Sequence, residues 1–189
     1  MVLFQYEKGW SMLIRGATQA DLPGMARVNV DTRRACYAGF YPSALLTQLS
    51  YAQVETAWRK RLWESSKSPA ACAFVAEETS QQRIVGVVIG GLAQRVDLPY
   101  HGEIYVLYVL PDCHRQGIGR RLVDAVARKL AEQNIESLLI WVLVDNPACS
   151  FYAALGGQVV GERLLDLGSA KLKEVAFGWS RLEALILTK

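Results

Sequence analysis

Leu22, Met25, Ala26 and Val30 recur at helical spacing and predict one apolar helix face, with Thr18 placed to cap the start. Ahead of it, Met12-Leu13-Ile14-Arg15 reads as a short strand. The pattern stays helical from Thr32 to Trp63 but breaks near Gly39 and Pro42. That segment is rich in aromatics: Tyr37, Phe40, Tyr41, Tyr51, Trp58 and Trp63. From Ala71 the period changes. Ala73 to Ala76 and Ile84 to Gly91 are β-rich runs on either side of the polar Glu77 to Arg83, which predicts an antiparallel hairpin. A loop around Asp97-Leu98-Pro99 leads to a third run, Glu103 to Leu110. Ile118, Leu122, Val126 and Leu130 then form a helical stripe, with Arg121, Asp124, Arg128, Lys129 and Glu132 mostly outside it. Leu138 to Leu143 predicts a strand and Pro147 to Leu155 a short helix, stopped at Gly156-Gly157. Two further strands fall near Gln158 to Glu162 and Lys173 to Trp179. This order, without repeats or low-complexity tracts, predicts one mixed α/β domain over residues 12–189. Residues 1–11 read as an N-terminal appendage, and Met12 is a second candidate start.

Composition narrows the class of partner. The chain has 189 residues, half of them hydrophobic, enough for one sizeable core. Its 21 basic and 18 acidic residues leave a net charge of +3, without a run of five or more like charges, so neither nucleic acid nor an anionic membrane is suggested by charge. No uninterrupted apolar run approaches the ~20 residues of a membrane span, and no leader pattern opens the chain. A soluble cytoplasmic protein is expected. Cys36, Cys72, Cys113 and Cys149 lie far apart, without metal-ligand spacing, and read as free thiols; no metal is expected.

The chemistry concentrates where Val106 to Leu110 runs through Pro111-Asp112-Cys113-His114-Arg115-Gln116 into Gly117-Ile118-Gly119-Arg120-Arg121-Leu122. An apolar strand, a basic glycine-spaced turn and a helix start make a site for a phosphorylated compound, because helix N-terminal N–H groups lack partners and carry the positive dipole end. A P-loop is excluded, since no Gly-Lys-Ser or Gly-Lys-Thr occurs. A dinucleotide fingerprint fails as well, with Leu122 at the third glycine's place and antiparallel strands ahead of the turn. A purely structural turn remains the plain alternative.

These residues resemble motif A of the GNAT-type N-acetyltransferases, a strand followed by [QR]-x-x-G-x-[GA] opening a helix. His114 stands where Gln or Arg is usual. Downstream, Asp145-Asn146-Pro147-Ala148-Cys149-Ser150-Phe151-Tyr152, continuing to Gly156, resembles the family's motif B. Anchoring on Phe151-Tyr152 puts Asp145 at the asparagine position, with Asn146 one residue off and kept as a possible pantetheine contact. The resemblance implies about seven mostly antiparallel strands splayed around an acetyl-CoA cleft, with about four helices. It also implies transfer of acetyl from acetyl-CoA to a primary amine. Leu107, Tyr108 and Val109 would lie along the acetyl-pantetheine arm, and Arg115, Gln116, Gly117, Ile118, Gly119 and Arg120 would wrap the diphosphate. Phe151 is expected to pack between helices.

The implied attack needs a neutral amine, N–H donors for the developing oxyanion, and an acid for the leaving thiolate. Backbone near Val109 at a strand bulge is expected to supply the donors. Tyr152 is the expected acid, a phenol of pKa ~10. Glu103 resembles the catalytic glutamate of the histone-acetylating branch at the same ungapped spacing; it is equally readable as a strand-end or amine-recognising carboxylate. His101 is a further candidate base. The other function class is a non-catalytic acyl-CoA-binding module of the same fold. Tyr37, Tyr41, Trp63, Tyr100, Glu103 and Tyr105 suggest an aromatic, acid-tipped pocket for a cationic acceptor. Val175 to Trp179 is a candidate homodimer contact.

Overall fold

The structure is a computed structural model that describes residues 2–5 (backbone only), 11–64, 71–94, 97–168 and 170–187. Eight strands form one sheet: β1 (Val2–Gln5), β2 (Ser11–Gly16), β3 (Cys72–Glu78), β4 (Arg83–Leu92), β5 (Gly102–Val109), β6 (Leu138–Leu143), β7 (Gln158–Asp166) and β8 (Lys171–Trp179). Their order is β1-β2-β3-β4-β5-β6-β8-β7. The strand beyond the seven expected is β1, which pairs antiparallel with β2. Among the described residues the α-helices are α1 (Leu22–Cys36), α2 (Ser43–Thr47), α3 (Tyr51–Arg59), α4 (Ile118–Ala131) and α5 (Ala148–Ala154). The helical stretch after Thr32 divides where Gly39 takes φ +100° and Pro42 precedes α2, which raises the helix number above that expected.

All strand pairs are antiparallel except β5 with β6, which α4 connects. That parallel pairing covers only Gly102–Ile104 against Leu138–Ile140. Just beyond it, β5 carries a bulge: Ile104 pairs with Gly90 and Val106 with Ile89, so Tyr105 is the extra residue. The two strands separate from there. Gly102 to Ile104 are buried, whereas Tyr105 to Val109 are each half-buried, as expected of a strand whose second edge has lost its neighbour.

The α4 stripe of Ile118, Leu122, Val126 and Leu130 is buried against β3, β4 and β5. Each such side chain stabilises the fold by about 1.5–3 kcal/mol. Asp124, expected outside the stripe, is buried because it accepts the Leu187 N–H at 2.7 Å and the Arg128 guanidinium at 3.0 Å. Val175 to Trp179 lie in β8, whose two edges are taken by β6 and β7. Backbone pairing through this segment across a dimer is therefore ruled out; the outer edge belongs to β7. Among the described residues, no helix is long and apolar enough to cross a membrane.

Candidate active site

The free edge of β5 is set by hydrogen-bond alternation. The Leu110 N–H donates to the Val85 carbonyl at 2.8 Å, which makes Val109 and Gly86 a non-hydrogen-bonded pair. Leu107 with Val88 is the next such pair. The N–H groups of Leu107 and Val109 consequently point away from β4, into the gap that β6 leaves beyond Ile140. The Val109 carbonyl accepts from the Thr32 hydroxyl at 3.2 Å and from His114 Nε2–H at 2.8 Å. The expected bulge at Val109 is corrected: the bulge is at Tyr105, and the Val109 N–H faces the gap by strand alternation instead.

From this edge the chain passes through one 3₁₀ turn, Pro111–Cys113, into the glycine turn. Arg115 takes φ +62° and Gly117 φ +74°, left-handed conformations that curl successive peptide N–H groups toward one side. Nothing lies within 4 Å of where a Gly117 side chain would begin. Gly119 has a different reason: a Cβ there would stand 3.2 Å from Phe151 Cζ, so its lack of a side chain lets α5 pack on the first turn of α4. The first backbone bond back into this turn runs from the Arg121 N–H to the Gly117 carbonyl at 3.1 Å. The N–H groups of Ile118, Gly119 and Arg120 therefore have no intrahelical acceptor. Ile118's side chain is core, so its backbone is what the turn presents. The Gln116 amide donates to the Asp112 carbonyl at 3.4 Å, and Arg115 is exposed.

The sequence reading missed what holds this turn from behind. Arg83 bridges Glu78 and Asp112, each at 3.2 Å, and reaches Cys113 Sγ at 3.7 Å. Glu78 is 1% exposed, so the β3–β4 hairpin is clamped to the segment entering the turn. Only an odd buried-side position for a charged pair flanking that hairpin could have hinted at it.

Tyr152 projects from α5 into the core, 5% exposed, its ring 5.2 Å from Phe151 and 5.8 Å from Phe177. Burial pushes its phenol above the ordinary range, and nearby Tyr108 and Cys149 push the same way. Tyr37, at the end of α1, stands 6.4 Å from Tyr108 ring to ring. Burial raises both of these phenols too. Three protonated hydroxyls thus converge beside the open stretch of β5. Asn146 accepts the Ala148 N–H at 2.9 Å through Oδ1, which secures the start of α5 and leaves its NH₂ as a donor. Asp145, favoured by motif register, is exposed.

Glu103 falls in a separate cluster at the closed end of the gap, where β5 and β6 still pair. It is 8% exposed and accepts the Gln94 N–H at 2.8 Å. Burial raises its carboxyl above the usual range, opposed by that hydrogen bond and by Arg163 and Arg61. Arg61 lies over the Tyr105 ring at 4.3 Å, and Arg163 sits over Trp141 at 4.2 Å while pairing with Glu174 at 2.6 Å. The expected aromatic pocket is accordingly split. Tyr37 and Tyr41 stand near the phenol cluster, Tyr105 accompanies Glu103, and Tyr100 lies under Gly178 of β8. Trp63 packs against the core. His101 is exposed just before β5, with its ring beside Ser137. Among the described residues, no group of three or more His, Cys, Asp or Glu could hold a metal ion.

This geometry has close counterparts. A family model described as FR47-like protein matches residues 86–165, which span β4 to β7 and hold the strand edge, the turn and α5. The chain is 31% identical over 172 residues to the uncharacterized N-acetyltransferase YuaI of Bacillus subtilis (strain 168), covering 91% of this chain and 95% of that protein. In fold it resembles a GCN5-related N-acetyltransferase from Rhodopseudomonas palustris, with a TM-score of 0.69 at 20% identity over 94% of this chain and 97% of that one. A putative acetyltransferase, yncA from Salmonella typhimurium, solved with acetyl-CoA, gives a TM-score of 0.63 at 18% identity over 90% of this chain and 94% of the other. With relatives that share nearly its whole length, and with the splayed sheet and glycine turn in place, the chain belongs to the GNAT superfamily of acetyltransferases.

Proposed function

We propose that the protein transfers an acetyl group from acetyl-CoA to a primary amine by direct attack. The observation that carries this reading is the free edge of β5, where the Leu107 and Val109 N–H groups face the gap and lead straight into the left-handed turn. The residues fit the cosubstrate: a strand edge suits an extended amide-bearing arm, and the open, N–H-lined turn from Arg115 to Arg120 suits a diphosphate. Acetyl-CoA supplies an activated thioester carbonyl. The chain supplies the rest. Backbone N–H groups on β5 donate to charge developing on the carbonyl oxygen. Tyr152, held protonated by burial, donates to the departing sulfur. Glu103, its carboxyl raised above the usual range by burial, takes the proton of the acceptor ammonium, with Tyr105 lining the path from the closed end of the gap.

CoA release followed with a panel of amines tests the assignment. The wild type is expected to turn over at least one amine, and Tyr152→Phe to lower kcat by about 10²-fold or more with the KM for acetyl-CoA unchanged. Tight acetyl-CoA binding without any amine-stimulated thiol release would overturn the reading.

A further inference from the structure

Among the described residues, Arg33 is a half-buried cation beside the phenols with no carboxylate to neutralise it. It lies on α1 next to Thr32, whose hydroxyl bonds the Val109 carbonyl, and one turn before Tyr37. Its guanidinium stands 5.3 Å above the Tyr41 ring and donates one Nη2–H to the Tyr41 hydroxyl at 3.2 Å. Its charge acts on both Tyr37 and Tyr108. It is thus placed among the phenols at the open stretch of β5. Arg15 pairs with Asp21 and Glu77, Arg83 with Glu78 and Asp112, and Arg163 with Glu174, whereas the half-buried Arg27 donates to the Ile84 carbonyl at 2.9 Å. Among the described residues no carboxylate pairs with Arg33, and its Nε is buried without a hydrogen-bond partner. One turn earlier, Asn29 Oδ1 is also buried and unpartnered.

A partly buried guanidinium without counter-charge, its Nε–H buried and unpaired, is costly unless another molecule completes it. Tyr41 covers one face of the group and accepts one Nη2–H, which leaves the Nε–H without an acceptor. The missing partner is an acceptor-only planar anion able to use guanidinium geometry, which describes a carboxylate. Resting on the amine reading above, we propose that the acceptor is an amino acid-like small molecule whose carboxylate is bound by Arg33 while its amine is acetylated. The Tyr41 hydroxyl, which accepts from Arg33, keeps its own O–H to share that anion. A peptide amino terminus or a polyamine lacks this group beside the amine and is disfavoured.

The test uses the full chain, acetyl-CoA and matched pairs of acceptors: each common L-amino acid against its primary amide, followed by CoA release. The amide keeps the amine and side chain and removes only the charge. The wild type is expected to prefer the acid form of its best acceptor by about tenfold to a hundredfold in kcat/KM, mainly through KM. Arg33→Gln should reduce that preference to within about twofold with the KM for acetyl-CoA unchanged, and Arg33→Lys should restore part of it. Amides used as well as acids by the wild type, or a preference that survives in Arg33→Gln, would overturn the carboxylate site and leave the amine reading standing. Turnover of polyamines or peptides alone would do the same. Failure of every amine to release CoA would sink the amine reading itself and this inference with it. Thermal melting of Arg33→Gln separates a merely structural role, which lowers Tm without changing acceptor choice.

Discussion

Burial and charge act in opposite directions on Glu103. Desolvation raises its carboxyl, whereas the Gln94 N–H, Arg163 and Arg61 lower it, and burial prevails. As a base it works only ionised, so kcat is expected to fall as pH drops through this raised pKa, and Glu103→Gln should lose about 10²-fold in kcat together with that acidic limb. If the limb persists in Glu103→Gln and only the amine KM rises, the carboxylate recognises the ammonium instead of taking its proton. The stability sign runs the other way from a salt-bridged acid. A carboxyl raised in the folded state binds its proton more readily there than in the unfolded chain, so its contribution is most favourable at low pH and is lost as pH rises through the folded pKa. Thermal melts near neutrality should therefore show Glu103→Gln no less stable than wild type. Tyr152 titrates above the ordinary phenol range, so it remains a donor throughout these measurements.

At the scale of elements, the strand, turn and helix from β5 to α4 use two glycines for separate ends, and substitutions separate them. Gly117→Glu places a carboxylate in open space where the turn presents its N–H groups; the backbone strain of φ +74° costs about 1–2 kcal/mol, so the fold is retained while calorimetry should detect no acetyl-CoA binding. Gly119→Val instead forces α5 off the first turn of α4, since Phe151 already stands at 3.2 Å. A lower Tm is expected there, with weaker but measurable binding. Both glycines were legible as a turn opening α4 because spacing between strand and helix is local information. Phe151 was legible as packing through the motif around it. The clamp of Glu78 and Arg83 on Asp112 was not, because a hairpin residue and a turn residue meet only through the register of β3 and β4. Arg33 was likewise invisible: an arginine on an amphipathic helix looks the same in sequence whether or not a carboxylate lies opposite.

The whole molecule closes at its far end through Asp124. This side chain on α4 accepts the Leu187 N–H at 2.7 Å and the Arg128 guanidinium, which itself bonds the Leu187 carbonyl, so the C-terminal segment is tied to the helix that carries the glycine turn. Asp124→Ala leaves the part-buried Leu187 N–H unpaired and is expected to cost about 1 kcal/mol, read as a lower denaturation midpoint with unchanged acetyl-CoA affinity. An affinity loss equal to that of Gly117→Glu would mean that the anchor also shapes the turn. The sequence by itself determined strands β2 to β8, the apolar stripe of α4 and the glycine turn that opens it, since periodicity and glycine spacing are written along the chain. Only the tertiary structure decided where β5 and β6 part, which backbone groups face the gap, and that Glu103 and Tyr152 stand in separate clusters. The physical reason is that a bulge at Tyr105 and the alternation of paired edges depend on strands brought together from distant parts of the chain.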